Sequence, residues 1–272
     1  MTKPSSARAV DDFSVEEQTR RFYESEGWIA DDQGVIGEDK YFRDFGPEHA
    51  EYGAKVTAKP AALLEGAGKT VLFAGPGNLP ESHTRAAAHF DKVVCADISE
   101  NSIEICKKKL GDKGEYHLTS LLDLPLDDGA VDAALCTHVI YHIDQNHQRQ
   151  AISELIRVTK PGGRIVIVYC NPNAPLMLMQ RFLQLLRVNK LLGKQKLYTY
   201  YYTLSWWSRF SENNVVEFIP HQAIRSNQAK ILLPHSLMQR AFYNWATHFE
   251  DAHPNLAVKL WPYLTVKIIR LS

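Results

Sequence analysis

The chain has 272 residues, is 45% apolar, and balances 31 basic against 31 acidic side chains. That length fits one α/β domain with insertions, and the even charge gives no general case for a nucleic-acid partner. No apolar run of about 18 residues is present, so neither a membrane-spanning helix nor stable membrane insertion is expected. The polar start, Met1 to Asp12, lacks the apolar core of a secretory leader. Cys95, Cys106, Cys136 and Cys170 lack metal-ligand spacing. They read as small hydrophobes of a cytoplasmic protein without a metal site.

Val15 to Glu26 has a helical pattern that Gly27 closes, Asp31 to Gly46 reads as a loop, and Ala50 to Leu64 as a second helix. A first buried strand is expected over Thr70 to Ala74, a helix over Pro80 to Phe90 and a second strand over Lys92 to Ala96. An amphipathic helix over Ser102 to Leu110 and a short strand over Tyr116 to Leu118 follow. Leu124-Pro125-Leu126-Asp127-Asp128-Gly129 is a turn signature. Strand four is expected over Val131 to Thr137 and a helix over His147 to Thr159, stopped by Pro161-Gly162-Gly163. Strand five, Arg164 to Tyr169, is nearly all apolar, as suits a strand covered on both faces. Then come a long apolar helix over Pro175 to Leu192, an aromatic cluster from Tyr198 to Phe210, a helix over Ser236 to Glu250, and a last strand over Tyr263 to Leu271.

The alternation of strand and helix from Thr70 to Tyr169 predicts a parallel sheet with helices on both faces. In such a sheet the ligand crevice lies beyond the carboxyl ends of the strands. Gly75 and Gly77, Asp97, Ser120, and Thr137 with His138 all fall at such ends. A glycine turn after one strand and an acid at the tip of the next make half of a nucleotide site. Pro80 replaces the third glycine of a dinucleotide fingerprint, and no Walker lysine or suitably placed Tyr-x-x-x-Lys pair is present.

Four segments together resemble the class I S-adenosylmethionine-dependent methyltransferases, small-molecule type. They are Val71-Leu72-Phe73-Ala74-Gly75-Pro76-Gly77, Val94-Cys95-Ala96-Asp97-Ile98-Ser99, Asp123 to Asp132, and Val158-Thr159-Lys160-Pro161-Gly162-Gly163. The resemblance implies a Rossmann-like α/β fold: a seven-stranded, mostly parallel sheet, helices on both faces, an antiparallel last strand and a lid-like insertion. It implies S-adenosyl-L-methionine as cofactor. Gly75, Pro76 and Gly77 would wrap its methionine moiety, Asp97 would hold the ribose hydroxyls, and Ile98 would stack on adenine. Ser120 and Leu121 would meet the adenine edge, with Thr137 nearby. Phe73 and Ser120 depart from the family, which often has acids at both positions.

Four regions are expected: an N-terminal helical cap over 1–64, the cofactor-binding core over 65–171, a substrate-lid insertion over 172–234, and a helix and strand over 235–272 that complete the sheet. His138 is the candidate general base, because imidazole titrates near neutrality; packing is its competing role. Tyr141, Tyr202 and Trp206 are candidate acceptor-binding residues, although the aromatic cluster also reads as insertion core or a homodimer contact. No Asp or Glu occurs between Leu155 and Ser211, while Arg157, Lys160, Arg164, Arg181 and further cations do. A solvated basic face is the preferred reading, and an anionic acceptor the alternative.

The expected function is methyl transfer to oxygen or nitrogen of a small-molecule acceptor of the secondary-metabolite kind, with no nucleic-acid partner. The alternatives are carbon methylation of an electron-rich ring or isoprenoid-like anion, and a binding protein of the same fold without turnover.

Overall fold

The computed structural model of the protein describes residues 14–27, 46–185 and 197–272. The expected loop at 31–45 and the end of the Pro175 to Leu192 helix lie outside the described residues.

Helix α1 (Val15–Phe22) continues into one wider turn over Tyr23–Gly27, and α2 (Pro47–Ala62) leads to the sheet. The core then alternates β1 (Thr70–Ala74), α3 (Glu81–Ala87), β2 (Lys92–Asp97), α4 (Glu100–Leu110), β3 (Gly114–Leu118), β4 (Val131–Thr137), α5 (Gln148–Val158) and β5 (Thr159–Cys170). Helix α6 (Pro175–Leu185), β6 (Asn214–Gln222), α7 (Ser226–Leu232), α8 (Ser236–Ala252), α9 (Pro254–Leu260) and β7 (Tyr263–Arg270) complete the chain.

The seven strands form one sheet in the order β3-β2-β1-β4-β5-β7-β6. The pairs from β3 through β5 are parallel, whereas β7 runs antiparallel to both β5 and β6. The order reverses direction between β1 and β4, which opens a crevice at the carboxyl ends of those two strands. Val71, Val93, Ala133 and Val166 face one apolar layer, and Leu72, Val94, Ala134, Ile165 and Ile167 the other. Burial on both faces explains why these strands read as unbroken apolar runs.

Two local differences from the expected elements have clear causes. Helix α5 ends at Val158, before the Pro-Gly-Gly segment, and Thr159 already pairs with Val131. Pro161 to Gly163 therefore belong to the bulged start of β5. Gly163 is required there because a Cβ would stand 2.6 Å from the Asp132 carbonyl oxygen on β4. The second difference is β6, which lies within residues 172–234 and forms the sheet edge. Its Pro220 is tolerated at an edge position, and Val215 and Val216 alternate between solvent and β7-side packing.

Asp132 ties the opposite end of the sheet together. Its carboxylate accepts from the Lys69 and Thr70 amides at 2.9 and 2.8 Å and from Lys160 Nζ at 2.6 Å. That clasp leaves the carboxyl ends of the strands free for a site.

Candidate active site

The chain leaves β1 through a turn that only glycine suits. Gly75 has φ +64°, and a Cβ there would lie 2.4 Å from Val139 Cγ2. Its amide donates to the Ala96 carbonyl at 2.8 Å, which anchors the turn to the end of β2. Pro76 and Gly77 are buried, and Gly77 also adopts a positive φ of +56°.

Asp97, at the tip of β2, braces this turn. Its carboxylate accepts from the Ser99 amide at 2.9 Å, the Ser102 hydroxyl at 2.7 Å and the Gly77 amide at 3.4 Å. Burial raises its pKa, and these donors work against that rise. Ser102 in turn donates to the Gly77 carbonyl at 3.0 Å, so helix α4 shares in the bracing; as that hydroxyl has one proton, it is divided between the two acceptors.

Ser120 stands just past β3. Its hydroxyl donates to the Glu16 carboxylate of α1 at 2.6 Å and accepts from the Leu122 amide at 3.2 Å. Asn101 of α4 donates to the Glu24 carbonyl at 3.1 Å. The N-terminal helix is thereby fastened over the ends of β2 and β3. Ile98 is half-buried beside Asp97, while Leu121 is buried in the core. Phe73, where an acid is common in the resembling family, is buried and stacked on His83 at 6.1 Å.

Thr137 ends β4 and is half-buried. The next residue, His138, holds φ +63°, an uncommon conformation for a residue with a side chain. Its Nδ1 lies 2.9 Å from the Tyr141 hydroxyl. Its ring packs edge-on against Tyr263 at 5.1 Å and His221 at 5.8 Å. Burial pushes the His138 pKa down to about 3, so the imidazole is neutral at pH 7. Burial likewise raises Tyr141 well above the usual phenol range, which keeps it an uncharged hydroxyl.

Tyr141 meets the aromatic segment through Tyr201, with ring centroids 5.2 Å apart. Tyr202 and Trp206 instead stack on each other at 4.3 Å. The Tyr202 hydroxyl donates to the Gln145 carbonyl at 3.1 Å, and its amide to the Tyr169 hydroxyl at 2.9 Å. The structure thus joins His138 and Tyr141 directly and groups Tyr202 and Trp206 in the neighbouring aromatic core. Tyr201, His221, Arg225 and Tyr263 complete these surroundings, and of the four Arg225 and Tyr263 were not among the sequence candidates. Register is what brings Tyr263 there: antiparallel pairing sets it opposite Cys170 at the end of β5.

This sheet order, with a glycine turn after β1 and an acid capping β2, is the architecture of the class I S-adenosylmethionine-dependent methyltransferases. The family model described as a methyltransferase domain matches residues 74–167, so the sheet core of the chain is similar to that family. A demethylmenaquinone methyltransferase of Clavibacter sepedonicus is 34% identical over 124 residues, covering 44% of this chain and 49% of that protein. The match thus spans about half the length of that curated relative. The geranyl diphosphate C-methyltransferase of Streptomyces coelicolor, solved with Mg2+, geranyl diphosphate and S-adenosyl-L-homocysteine, has a similar fold. It superposes with a TM-score of 0.60 at 16% identity, over 95% of this chain and 99% of that one. The N-methyltransferase NodS of Bradyrhizobium japonicum, solved with S-adenosyl-L-homocysteine, gives 0.57 at 14% identity, over 96% of this chain and all of the other.

Proposed function

We propose that the protein binds S-adenosylmethionine at the β1–β2–β3 strand ends and transfers its methyl group to an oxygen or nitrogen of a small-molecule acceptor. The observation that carries this reading is the Gly75-Pro76-Gly77 turn, held open toward the crevice by the buried Asp97 carboxylate. The turn fits the cofactor because its backbone approaches a ligand where a side chain would collide with Val139.

When bound, the sulfonium supplies an electrophilic methyl group with a good leaving group, so alignment is the main task of the protein. The glycine turn and the residues about Asp97 hold the donor. His138 and Tyr141 face the end of β4, where the acceptor approaches. A hydroxyl or amine that gains a methyl group becomes much more acidic than before. For an oxygen acceptor, even a neutral imidazole of weakened basicity suffices to take the proton of the strongly acidic oxonium, whereas an ammonium product keeps its proton until it reaches solvent. The Tyr141 hydroxyl fixes the ring orientation.

Carbon methylation is the second reading. It is favoured by the similarity to the menaquinone enzyme, and it needs the same donor site with an electron-rich ring over Tyr141 and Tyr201. A homodimer, a cytoplasmic location and the absence of a nucleic-acid substrate belong to this proposal as well.

The test is titration calorimetry with S-adenosylhomocysteine, followed by transfer of a labelled methyl group across acceptor panels. Micromolar binding and label in a hydroxyl or amine product are expected. No binding would overturn the reading, label on ring carbon would favour the second reading, and binding without transfer would point to a binding protein.

A further inference from the structure

Arg225 is a half-buried cation that has no carboxylate partner among the described residues. Other half-buried cations of the fold are satisfied by carboxylates or backbone carbonyls: Lys59 pairs with Glu250 and Arg157 with Glu154 and Asp128, while Arg164 and Arg270 donate to main-chain carbonyls. Among the described residues, no carboxylate pairs with Arg225. Its Nη1 lies 3.7 Å from the Met177 sulfur, a weak acceptor, and its Cζ lies 5.5 Å from the Tyr263 ring centroid. The charged and polar groups around it are Tyr263, Tyr201, Cys170, Tyr141, His138 and His142. None of these is an anion at neutral pH. Helix α6, which contributes Met177, belongs to the stretch from Leu155 to Ser211 that has no Asp or Glu.

Such a charge is costly to hold away from water unless something pairs with it. A guanidinium presents a planar fork of donors that matches a carboxylate or phosphate in two parallel hydrogen bonds. Here part of the fork remains unspent, because a thioether, a ring face and the Tyr263 hydroxyl occupy only some of its donors. The residue is also placed where an acceptor would sit. Hydrogen bonding from Arg225 and Tyr141 reaches the Tyr263 hydroxyl, and Tyr141 lies against His138. One tyrosine ring thus separates the cation from the candidate base, with Tyr141 and Tyr201 forming aromatic walls.

We infer that Arg225 anchors an acidic group, a carboxylate or a phosphate, on a flat or apolar methyl acceptor whose reacting atom lies beside His138. This rests on the methyltransferase reading of the site. It adds the acceptor class: a molecule with an acid at one end and an oxygen, nitrogen or electron-rich carbon about one ring away.

The experiment titrates benzoate, phenyl phosphate and benzamide into the protein loaded with S-adenosylhomocysteine, following binding by calorimetry and ligand-observed NMR. At least one of the two acids is expected to bind about tenfold more tightly than benzamide, the scale of a charged hydrogen bond. The tighter of the two shows whether carboxylate or phosphate is preferred. Arg225→Gln is expected to erase the preference, and Arg225→Lys to keep part of it, with S-adenosylhomocysteine affinity and circular dichroism unchanged in both. Equal binding of acids and amide by the unaltered protein, no acid binding at millimolar concentration, or a preference that survives Arg225→Gln would each overturn the inference. Failure of S-adenosylhomocysteine to bind would instead sink the cofactor reading, and the same acids against the free protein would still report on Arg225.

Discussion

The Ser120 hydroxyl at the tip of β3 donates to the Glu16 carboxylate of α1 at 2.6 Å, joining residues 104 positions apart. The bond brings a negative charge to a strand end that carries only a hydroxyl of its own. Glu16 is half-buried and accepts from no other side chain among the described residues. On the proposed cofactor placement, an adenine amine at this strand end would find its acceptor in Glu16. Glu16→Ala is therefore expected to weaken S-adenosylhomocysteine binding by about tenfold, the scale of a hydrogen bond to a charged group. Calorimetry beside a thermal unfolding curve checks this. Unchanged affinity would make the contact a purely structural tie.

Asp97 is expected to behave differently, because its carboxylate braces the turn in addition to its proposed contact with the cofactor. Asp97→Ala removes the acceptor for the Ser99 and Gly77 amides and the Ser102 hydroxyl. Orphaned buried donors cost about 1–3 kcal/mol. The variant should thus lose both cofactor affinity and stability, in contrast to Glu16→Ala. Urea unfolding and calorimetry on the same preparations separate the two. A variant of normal stability that binds normally would show that Asp97 does not brace the turn.

His138 combines a positive φ with a position beside the acceptor side of the crevice. An alanine there would add backbone strain to the loss of the ring, so asparagine, which tolerates this conformation, is the cleaner change. His138→Asn is expected to lower turnover by roughly 10²–10⁴-fold, the usual contribution of a positioned acid or base, and to leave cofactor affinity intact. Single-turnover methyl transfer measures it. Turnover within a few fold of normal would assign His138 to packing.

Much of this arrangement was legible in the sequence. Val131 to Thr137 and Thr70 to Ala74 form strands over the expected limits, because an apolar run covered on both faces ends sharply where a turn begins. Glycines, Asp97 and His138 fall at strand ends for the same reason. Less legible was β6, whose edge position needs no continuous apolar run and admits Pro220. Arg225 and Tyr263 escaped notice because nothing local marks them. Their meeting depends on β7 pairing back onto β5 and on α7 starting just after β6. Long-range register of that kind leaves no pattern within a short window. The aromatic cluster was visible, but which tyrosine turns toward Tyr141 is decided by backbone direction, and it is Tyr201 rather than Tyr202.

The buried histidines predict how the fold responds to acid. His83 is 3% exposed, stacks on Phe73, and has its pKa pushed down to about 4 by burial. His221 is shifted downward by burial too. A histidine in the unfolded chain titrates near 6.5. Between that value and about 4 the unfolded chain binds a proton that the folded protein does not, so lowering the pH through this window favours unfolding. The contribution is fully present above pH 6.5 and is lost progressively below it. For His83 alone, the loss between pH 7 and pH 5 is about 2 kcal/mol, since each pKa unit corresponds to about 1.4 kcal/mol. His83→Gln, which cannot titrate, is expected to flatten the dependence of unfolding free energy on pH by that amount, even if it lowers stability at pH 7. Urea melts at pH 5, 6 and 7 for both proteins measure the slope. Parallel slopes would mean that His83 titrates alike in the folded and unfolded chain, and that its burial does not contribute to acid sensitivity.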